Sequence, residues 1–91
     1  MKYFAVTLPI LDEKKSVRYR DEHLAYLQEA TSAGHIVTYG RFADGSGGLV
    51  IYKAASLAAA EELATNDPYV TTGARDCVIK EWVMNTDVLT S

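Results

Sequence analysis

The chain has 91 residues, a formal net charge of −3 and an apolar fraction of 48%. Domains typically need about 100 residues, so a second core would not fit. We predict one domain at residues 1–84 and a polar tail at residues 85–91. The acidic balance argues against nucleic acid as a partner. No apolar run reaches the roughly 18 residues of a membrane span, and the start lacks the apolar core of a signal peptide, which predicts a cytoplasmic protein without membrane contact.

The first part of the chain is predicted to form a strand and then a helix. Residues 2–8 alternate between more and less apolar side chains, as expected of a strand with one buried face. The helix is most secure over residues 16–33, with either Asp12 or Ser16 as its N-cap. Gly34 follows it and serves as a stop signal.

The rest of the chain is predicted to add a hairpin, a short helix and a last strand. The hairpin strands cover residues 36–43 and 49–53, the helix covers residues 57–64, and the last strand covers residues 76–84. The hairpin connection, Asp-Gly-Ser-Gly-Gly at residues 44–48, consists almost entirely of turn formers. A glycine-rich loop can also cradle a phosphate, but this one lacks the P-loop pattern and leads into a strand, so a plain connection is the better interpretation.

The predicted order is strand, helix, strand, strand, helix, strand. The compact fold that this order predicts is a ferredoxin-like βαββαβ sandwich of the α+β class, with both helices on one face of a four-stranded antiparallel sheet. The other face of the sheet is then bare, and we place Tyr3, Tyr52 and Trp82 on it. Aromatic side chains on an open face favour a homodimer that stacks two sheets.

His23 is the residue best placed for chemistry. On a helical wheel the apolar stripe is centred on Leu24, and His23 falls on its rim, where a side chain can reach a pocket. Arg20, one turn earlier, points to the same side. The remaining residues of the stripe are Val17, Leu27 and Thr31. A helical histidine beside a core is, however, more often a packing or surface residue than a catalyst.

A histidine that moves protons needs a partner that orients its ring. Asp67 is the best candidate, because a residue fixed before Pro68 at a helix end has a defined direction. Asp44 in the hairpin is the second choice. Both aspartates could also be plain turn residues. The histidines and the cysteine do not have the spacing of a metal site, so we predict neither a metal nor a cofactor.

Several short segments together resemble the YCII-related (YciI-like) domain family. They are Met1-Lys2-Tyr3-Phe4, Arg20-Asp21-Glu22-His23-Leu24, Gly34, Gly40, Ser56-Leu57, Asp67-Pro68-Tyr69-Val70 and Gly73. Their order and spacing carry the resemblance over residues 1–84. The resemblance implies a ferredoxin-like fold, dimerisation akin to dimeric α/β barrels, and an active site centred on a histidine and an aspartate.

Carried onto this sequence, the resemblance implies His23 and Asp67 as the catalytic pair and Arg20 as the neighbouring arginine. Ser46 matches a hairpin serine of many members. The chain departs from the family pattern at Arg41, where proline is common, and at Arg75, where an aromatic residue is common. Both arginines would border the pocket and could admit an anionic substrate, or they could face solvent.

We therefore expect an enzyme of lyase or isomerase type that works without a cofactor, in which His23 moves a proton and Asp67 orients it. A small anionic or phenolic substrate is expected to contact a further set of residues, namely Arg20, Asp44, Ser46, Tyr69 and Arg75. Two alternatives remain: a dimeric sensory or binding module that holds a metabolite without turning it over, and a dimer whose role is structural.

Overall fold

The computed structural model describes residues 1–89 and shows one antiparallel sheet covered by helices. The strands are β1 (Lys2–Pro9), β2 (Ile36–Arg41), β3 (Gly47–Ala54) and β4 (Val78–Trp82), arranged side by side as β2-β3-β1-β4. The helices are α1 (Glu13–Arg18), α2 (Arg20–Ser32), α3 (Leu57–Thr65) and the single turn α4 (Pro68–Thr71). The predicted ferredoxin-like α+β fold is confirmed.

One face of the sheet forms the core together with the helices. Phe4 of β1 pairs with Tyr52 of β3, and Val6 pairs with Val50, so these four side chains point to the same face. All four are at most 2% exposed. The helices contribute small and aliphatic side chains to this core, namely Leu27, Ala30, Ala60 and Ala64. The register of β1 and β3 therefore decides which residues the helices cover.

The opposite face of the sheet is formed by the alternate residues of each strand. Tyr3 pairs with Trp82, and Ala5 pairs with Ile51. Trp82 is 45% exposed and Val78 is 41% exposed, although both side chains are apolar. The bare face predicted from the sequence is therefore present, and it carries Tyr3 and Trp82.

The placement of Tyr52 on that bare face is wrong. Tyr52 pairs with Phe4, whose side chain points to the core, and Tyr52 is only 1% exposed. The sequence of β3 is apolar on both faces, so alternation along the strand does not tell which side chains point inward. Only the pairing with β1 decides this, and that pairing is a long-range property.

The first predicted helix is interrupted at Tyr19, whose backbone φ of −103° and ψ of 13° separate α1 from α2. In an uninterrupted helix, the Ser16 carbonyl would accept the N–H of Arg20. Here the Ser16 carbonyl accepts the Tyr69 hydroxyl at 2.8 Å. A side-chain donor inserted into the ladder of backbone hydrogen bonds is a known cause of a helix break.

The interruption also changes which face of the helix is buried. The buried residues of α2 are His23, Leu27 and Ala30. Leu24, the predicted centre of the stripe, is half-buried, and Val17 on α1 is 79% exposed. A wheel drawn through Tyr19 assumes a continuous helix, and for that reason it placed His23 at the rim rather than within the buried stripe.

The ends of several elements differ from the predictions. β2 ends at Arg41 rather than at residue 43, and β4 covers Val78–Trp82 rather than residues 76–84. Asp12, one of two predicted caps, begins α1 with its carboxylate accepting a backbone N–H. In the predicted tail, Asp87–Leu89 form a turn of 3-10 helix, and residues 90 and 91 lie outside the described part of the chain.

Candidate active site

His23 and Asp67 are in direct contact. His23 lies in the first turn of α2, and Asp67 is the N-cap residue of α4. The imidazole Nδ1 is 2.8 Å from both Oδ1 and Oδ2 of Asp67, whose side chain is 1% exposed. A carboxylate can only accept a hydrogen bond, so Nδ1 is the donor in this pair. Nε2 is therefore the ring nitrogen left for a ligand.

Asp67 is held in place by the turn that follows it. Pro68 occupies the first position of α4, where a proline ring fits the helix, and Asp67 itself is extended, with φ of −59° and ψ of 130°. Oδ1 of Asp67 accepts the backbone N–H of Tyr69 at 2.9 Å. The carboxylate is thus held by its own helix on one side and by His23 on the other.

The Tyr69 ring contacts both His23 and Arg75. It stacks on the imidazole with ring centroids 3.9 Å apart and planes inclined by 14°. The guanidinium carbon of Arg75 lies 4.5 Å from the centroid of the same tyrosine ring. The bond of the Tyr69 hydroxyl to the Ser16 carbonyl fixes the position of the ring, which in turn packs against the plane of the imidazole.

The tyrosines near the pair are not candidates for the base. Burial raises the pKa of Tyr69 above its ordinary value, and the positive charges of Arg75 and Arg20 only partly oppose this. Burial also raises the pKa of Tyr26 and of Tyr52, and the negative charge of Asp67 adds to both shifts. Their hydroxyls are therefore protonated at neutral pH.

A cavity of about 480 Å³ opens beside His23 between the helices and the sheet. Most of its wall is apolar, and most of its lining residues come from α1, α2, β2 and β3. The polar and charged residues of the wall are Glu13, Ser16, Arg20, His23, Arg41 and Arg75. Cavities of this size and character suit small organic molecules.

A comparison with known families identifies the chain. Residues 1–83 match the model of the YCII-related domain. The chain belongs to the YCII-related domain family. A relative of this YCII-related protein, the uncharacterized protein YjpA of Bacillus subtilis (strain 168), is 30% identical over 80 residues, which make up 88% of this chain and 94% of YjpA. The resemblance drawn from the sequence motifs is confirmed.

Two solved structures share the fold of this YCII-related protein. The first is the 5-chloro-2-hydroxyhydroquinone dehydrochlorinase TftG from Burkholderia phenoliruptrix AC1100, in complex with 2,5-dihydroxybenzoquinone. It superimposes with a TM-score of 0.77 at 18% identity, over 93% of this chain and 97% of TftG. The second, a muconolactone isomerase, gives a TM-score of 0.71 at 14% identity, over 91% of this chain and 90% of the isomerase. At these identities the likeness establishes the fold.

The structure brings most of the predicted site residues of the YCII-related protein together, but not all. Arg20, Tyr69 and Arg75 line the cavity with His23. Asp44 and Ser46, predicted to contact substrate, are exposed in the hairpin and do not line it.

Asp44 and Ser46 bond to each other instead. The Asp44 carboxylate accepts the Ser46 N–H at 2.9 Å, and hydrogen bonding from Ser46 lowers the pKa of that carboxylate. The two residues close the turn rather than face the cavity, as turn formers commonly do.

Ser16 and Gly48 are among the residues of the cavity wall that the sequence did not indicate as site residues. Ser16 was considered only as a helix cap, but its hydroxyl accepts the Nε–H of Arg75 at 3.1 Å. Gly48 was considered only as part of a turn. A Cβ at Gly48 would lie 3.1 Å from the Gly40 carbonyl oxygen, which is a tight approach, and 3.9 Å from Nη1 of Arg75, so Gly48 borders the guanidinium group. No local pattern signals either role, because both depend on Arg75, which is distant in sequence.

Two observations on residues 1–89 bear on other kinds of function. No described helix has the length and apolar character needed to cross a membrane. No group of three or more His, Cys, Asp or Glu side chains in this part of the YCII-related protein is arranged to hold a metal ion.

Proposed function

We propose that this YCII-related protein is an enzyme of lyase or isomerase type in which His23 transfers a proton at Nε2 and no cofactor takes part. The observation that carries the proposal is the contact of the His23 imidazole Nδ1 with both oxygens of Asp67. His23 lines a cavity that suits a small molecule, and Asp67 is buried behind it. Paired in this way, a histidine has a fixed tautomer and a fixed direction.

In the proposed mechanism, Asp67 accepts the Nδ1 hydrogen and keeps Nε2 unprotonated, so that Nε2 can act as a base. The imidazole takes a proton from a carbon or a hydroxyl of the substrate, and the negative charge of Asp67 stabilises the imidazolium that forms. The imidazolium then returns the proton at another atom, either with departure of a leaving group or with a shift of a double bond. His23 is unchanged at the end of either cycle.

The substrate in this proposal is a small ring compound with an anionic or phenolic oxygen. Arg20 and Arg75 line the cavity and can donate hydrogen bonds to such an oxygen. The solved structures of the same fold support this class, since one is a dehydrochlorinase bound to 2,5-dihydroxybenzoquinone and the other is a muconolactone isomerase.

The test is turnover by the wild type and by His23→Ala and Asp67→Asn, measured on a panel of chlorinated hydroxyquinols and unsaturated lactones. Loss of a general base should lower the rate by about 10² to 10⁴-fold. His35→Ala is the matched control, because His35 does not line the cavity. The turnover rate of this variant should equal that of the wild type. Equal turnover by all four proteins would refute the catalytic assignment.

The metabolite-binding alternative has its own outcome in this experiment. In that outcome, a ligand binds to the wild type, is recovered unchanged after long incubation, and no longer binds to His23→Ala. This result would refute the enzyme proposal and indicate a binding module.

The proposal also includes a cytoplasmic location and a homodimer formed through the open face of the sheet. The support for the dimer is the exposure of Val78 and Trp82, two apolar side chains on that face. Cell fractionation tests the location, and recovery of the protein in a membrane or secreted fraction would contradict it.

A further inference from the structure

Three neighbouring strands place Leu8, Gly48 and Arg41 side by side in the cavity wall. Leu8 of β1 pairs with Gly48 of β3, and Gly48 pairs with Arg41 of β2. Residues that pair directly across strands point to the same face of a sheet. Since Leu8 is buried on the core face, Arg41 is directed to that face as well, and all three residues line the cavity.

The guanidinium group of Arg75 lies beside Gly48 and is bonded to two neighbouring residues. Its Nη1 donates to the Leu8 carbonyl at 3.3 Å, and its Nε donates to the Ser16 hydroxyl. Both Nη1 of Arg75 and Cα of Arg41 lie 3.9 Å from the position that a Cβ of Gly48 would take. The guanidinium group of Arg75 and the backbone of Arg41 thus flank Gly48, and both arginines line the cavity.

The positive charges of these arginines are not neutralised within the described chain. Between residues 1 and 89, no carboxylate oxygen lies within 4.0 Å of a guanidinium nitrogen of Arg20, Arg41 or Arg75. Asp67 is engaged by His23, and Glu13 is the single carboxylate in the described cavity wall. A protein with a net charge of −3 therefore has a cavity whose wall is positive.

Arg75 and Arg41 differ in how their hydrogen-bond donors are used. The Nε and Nη1 groups of Arg75 are bound to the protein, which holds its guanidinium group rigidly. The side chain of Arg41 donates no hydrogen bond to residues 1–89, so all of its donors remain for a ligand. Guanidinium groups with spare donors in a partly apolar cavity are stabilised by an anion, most effectively by a carboxylate whose geometry matches their fork.

We infer that Arg41 and Arg75 bind the carboxylate of a small organic acid whose apolar, ring-sized body lies against Leu24, Leu27 and Val50. This inference deepens the proposed function, on which it rests, by making a full negative charge the basis of substrate selection. A phenol is neutral at pH 7 because its pKa is about 10, whereas a carboxylic acid is ionised. Arg41 is then the residue that sets specificity for acids.

The experiment measures binding of three probes to the full-length protein by titration calorimetry at low salt. Benzoate has both the charge and the ring, benzamide has the same shape without the charge, and acetate has the charge without the ring. Benzoate is expected to bind about tenfold or more tightly than either of the others. Arg41→Gln is expected to lower benzoate affinity by a similar factor and to leave benzamide binding unchanged.

Arg18→Gln is the matched control. Arg18 is an exposed arginine on α1 that lies over the Tyr19 ring and does not line the cavity. The Arg18→Gln substitution removes the same charge from the molecule as Arg41→Gln does. Because Arg18 is outside the cavity, the Arg18→Gln variant should retain benzoate affinity. Equal affinities for benzoate and benzamide, undetectable benzoate binding, or equal losses in Arg41→Gln and Arg18→Gln would each overturn the inference.

The measurement does not depend on proton transfer, so the two proposals can fail separately. A protein that binds benzoate through Arg41 but whose turnover is unaffected by His23→Ala would refute the acid–base function and support the acid-binding site. If turnover requires His23 but benzoate and benzamide bind with equal affinity, the acid–base function is supported and the acid-binding site is refuted.

Discussion

At the scale of single residues, Tyr69 holds the site together without needing to touch a substrate. Its backbone N–H bonds to Asp67, its ring stacks on His23, and its hydroxyl bonds to the Ser16 carbonyl. The first contact depends only on the backbone, the second on the ring, and the third on the hydroxyl. Substitutions at this position can therefore separate the three contributions.

We expect Tyr69→Phe to destabilise the protein by about 1–2 kcal/mol, because the buried bond to Ser16 is lost while the stacked ring remains. Urea unfolding measures the difference. The control is Tyr39→Phe, since Tyr39 is 36% exposed and its hydroxyl has no hydrogen-bond partner among residues 1–89. Equal unfolding midpoints for the two variants would contradict the role given to the Tyr69 hydroxyl.

The contact between His23 and Asp67 could be predicted from the sequence. Pro68 restricts the backbone of the residue before it, so the local sequence indicates the direction of the Asp67 side chain. The positions of Asp44 and Ser46 could not be predicted. A run of turn formers predicts a turn, but the direction in which a turn faces depends on how the hairpin packs.

At the scale of elements, the order of strands and helices followed from periodicity and capping signals, whereas the break at Tyr19 did not. The break depends on Tyr69, which reaches Ser16 from a separate part of the chain. The inward orientation of Tyr52 has the same origin, because only the pairing of β3 with β1 determines it. Contacts between distant segments, which local patterns do not encode, account for both errors.

The close approach of β1 and β3 at Gly47 gives a prediction at this scale. A Cβ on Gly47 would lie 2.5 Å from the Leu8 carbonyl oxygen, and the backbone φ of +153° disfavours any other residue. We expect Gly47→Ala to destabilise the protein by about 2 kcal/mol or more, as measured by urea unfolding.

Gly40→Ala provides the comparison for Gly47→Ala. Gly40 lies on β2, its φ is not positive, and among residues 1–89 no atom beyond its chain neighbours lies within 4 Å of its Cβ position. Alanine at Gly40 should cost no more than about 0.5 kcal/mol. A similar loss of stability in both variants would show that the contact with the Leu8 carbonyl is not the cause.

At the scale of the whole molecule, the sheet is covered on one face and open on the other. The open face carries Trp82, which is 45% exposed. We expect the protein to be a dimer in solution and Trp82→Glu to shift it towards a monomer, because a charge would be buried between two sheets. Light scattering coupled to gel filtration measures the mass.

Leu57→Glu is the control for the dimer. Leu57 is 48% exposed at the start of α3, so the same charge is added at a similarly exposed apolar residue away from the open face. It should leave the mass unchanged. A wild-type monomer at all concentrations, or equal masses for the two variants, would contradict a dimer formed through the open face.

The placement of Asp67, Tyr69 and Arg75 has a consequence for how the site can be altered. One short, uninterrupted segment at residues 67–75 supplies the carboxylate that binds His23 and adds an aromatic ring and a guanidinium group to the cavity wall. Its backbone is also joined to the loop after β1, where Leu11 and Asp12 donate to the Ala74 carbonyl. The segment is therefore a single unit of sequence that carries three groups of the site. Exchanging it between relatives would transfer these three groups together, provided that its bonds to the Ser16 carbonyl and to the loop after β1 are retained.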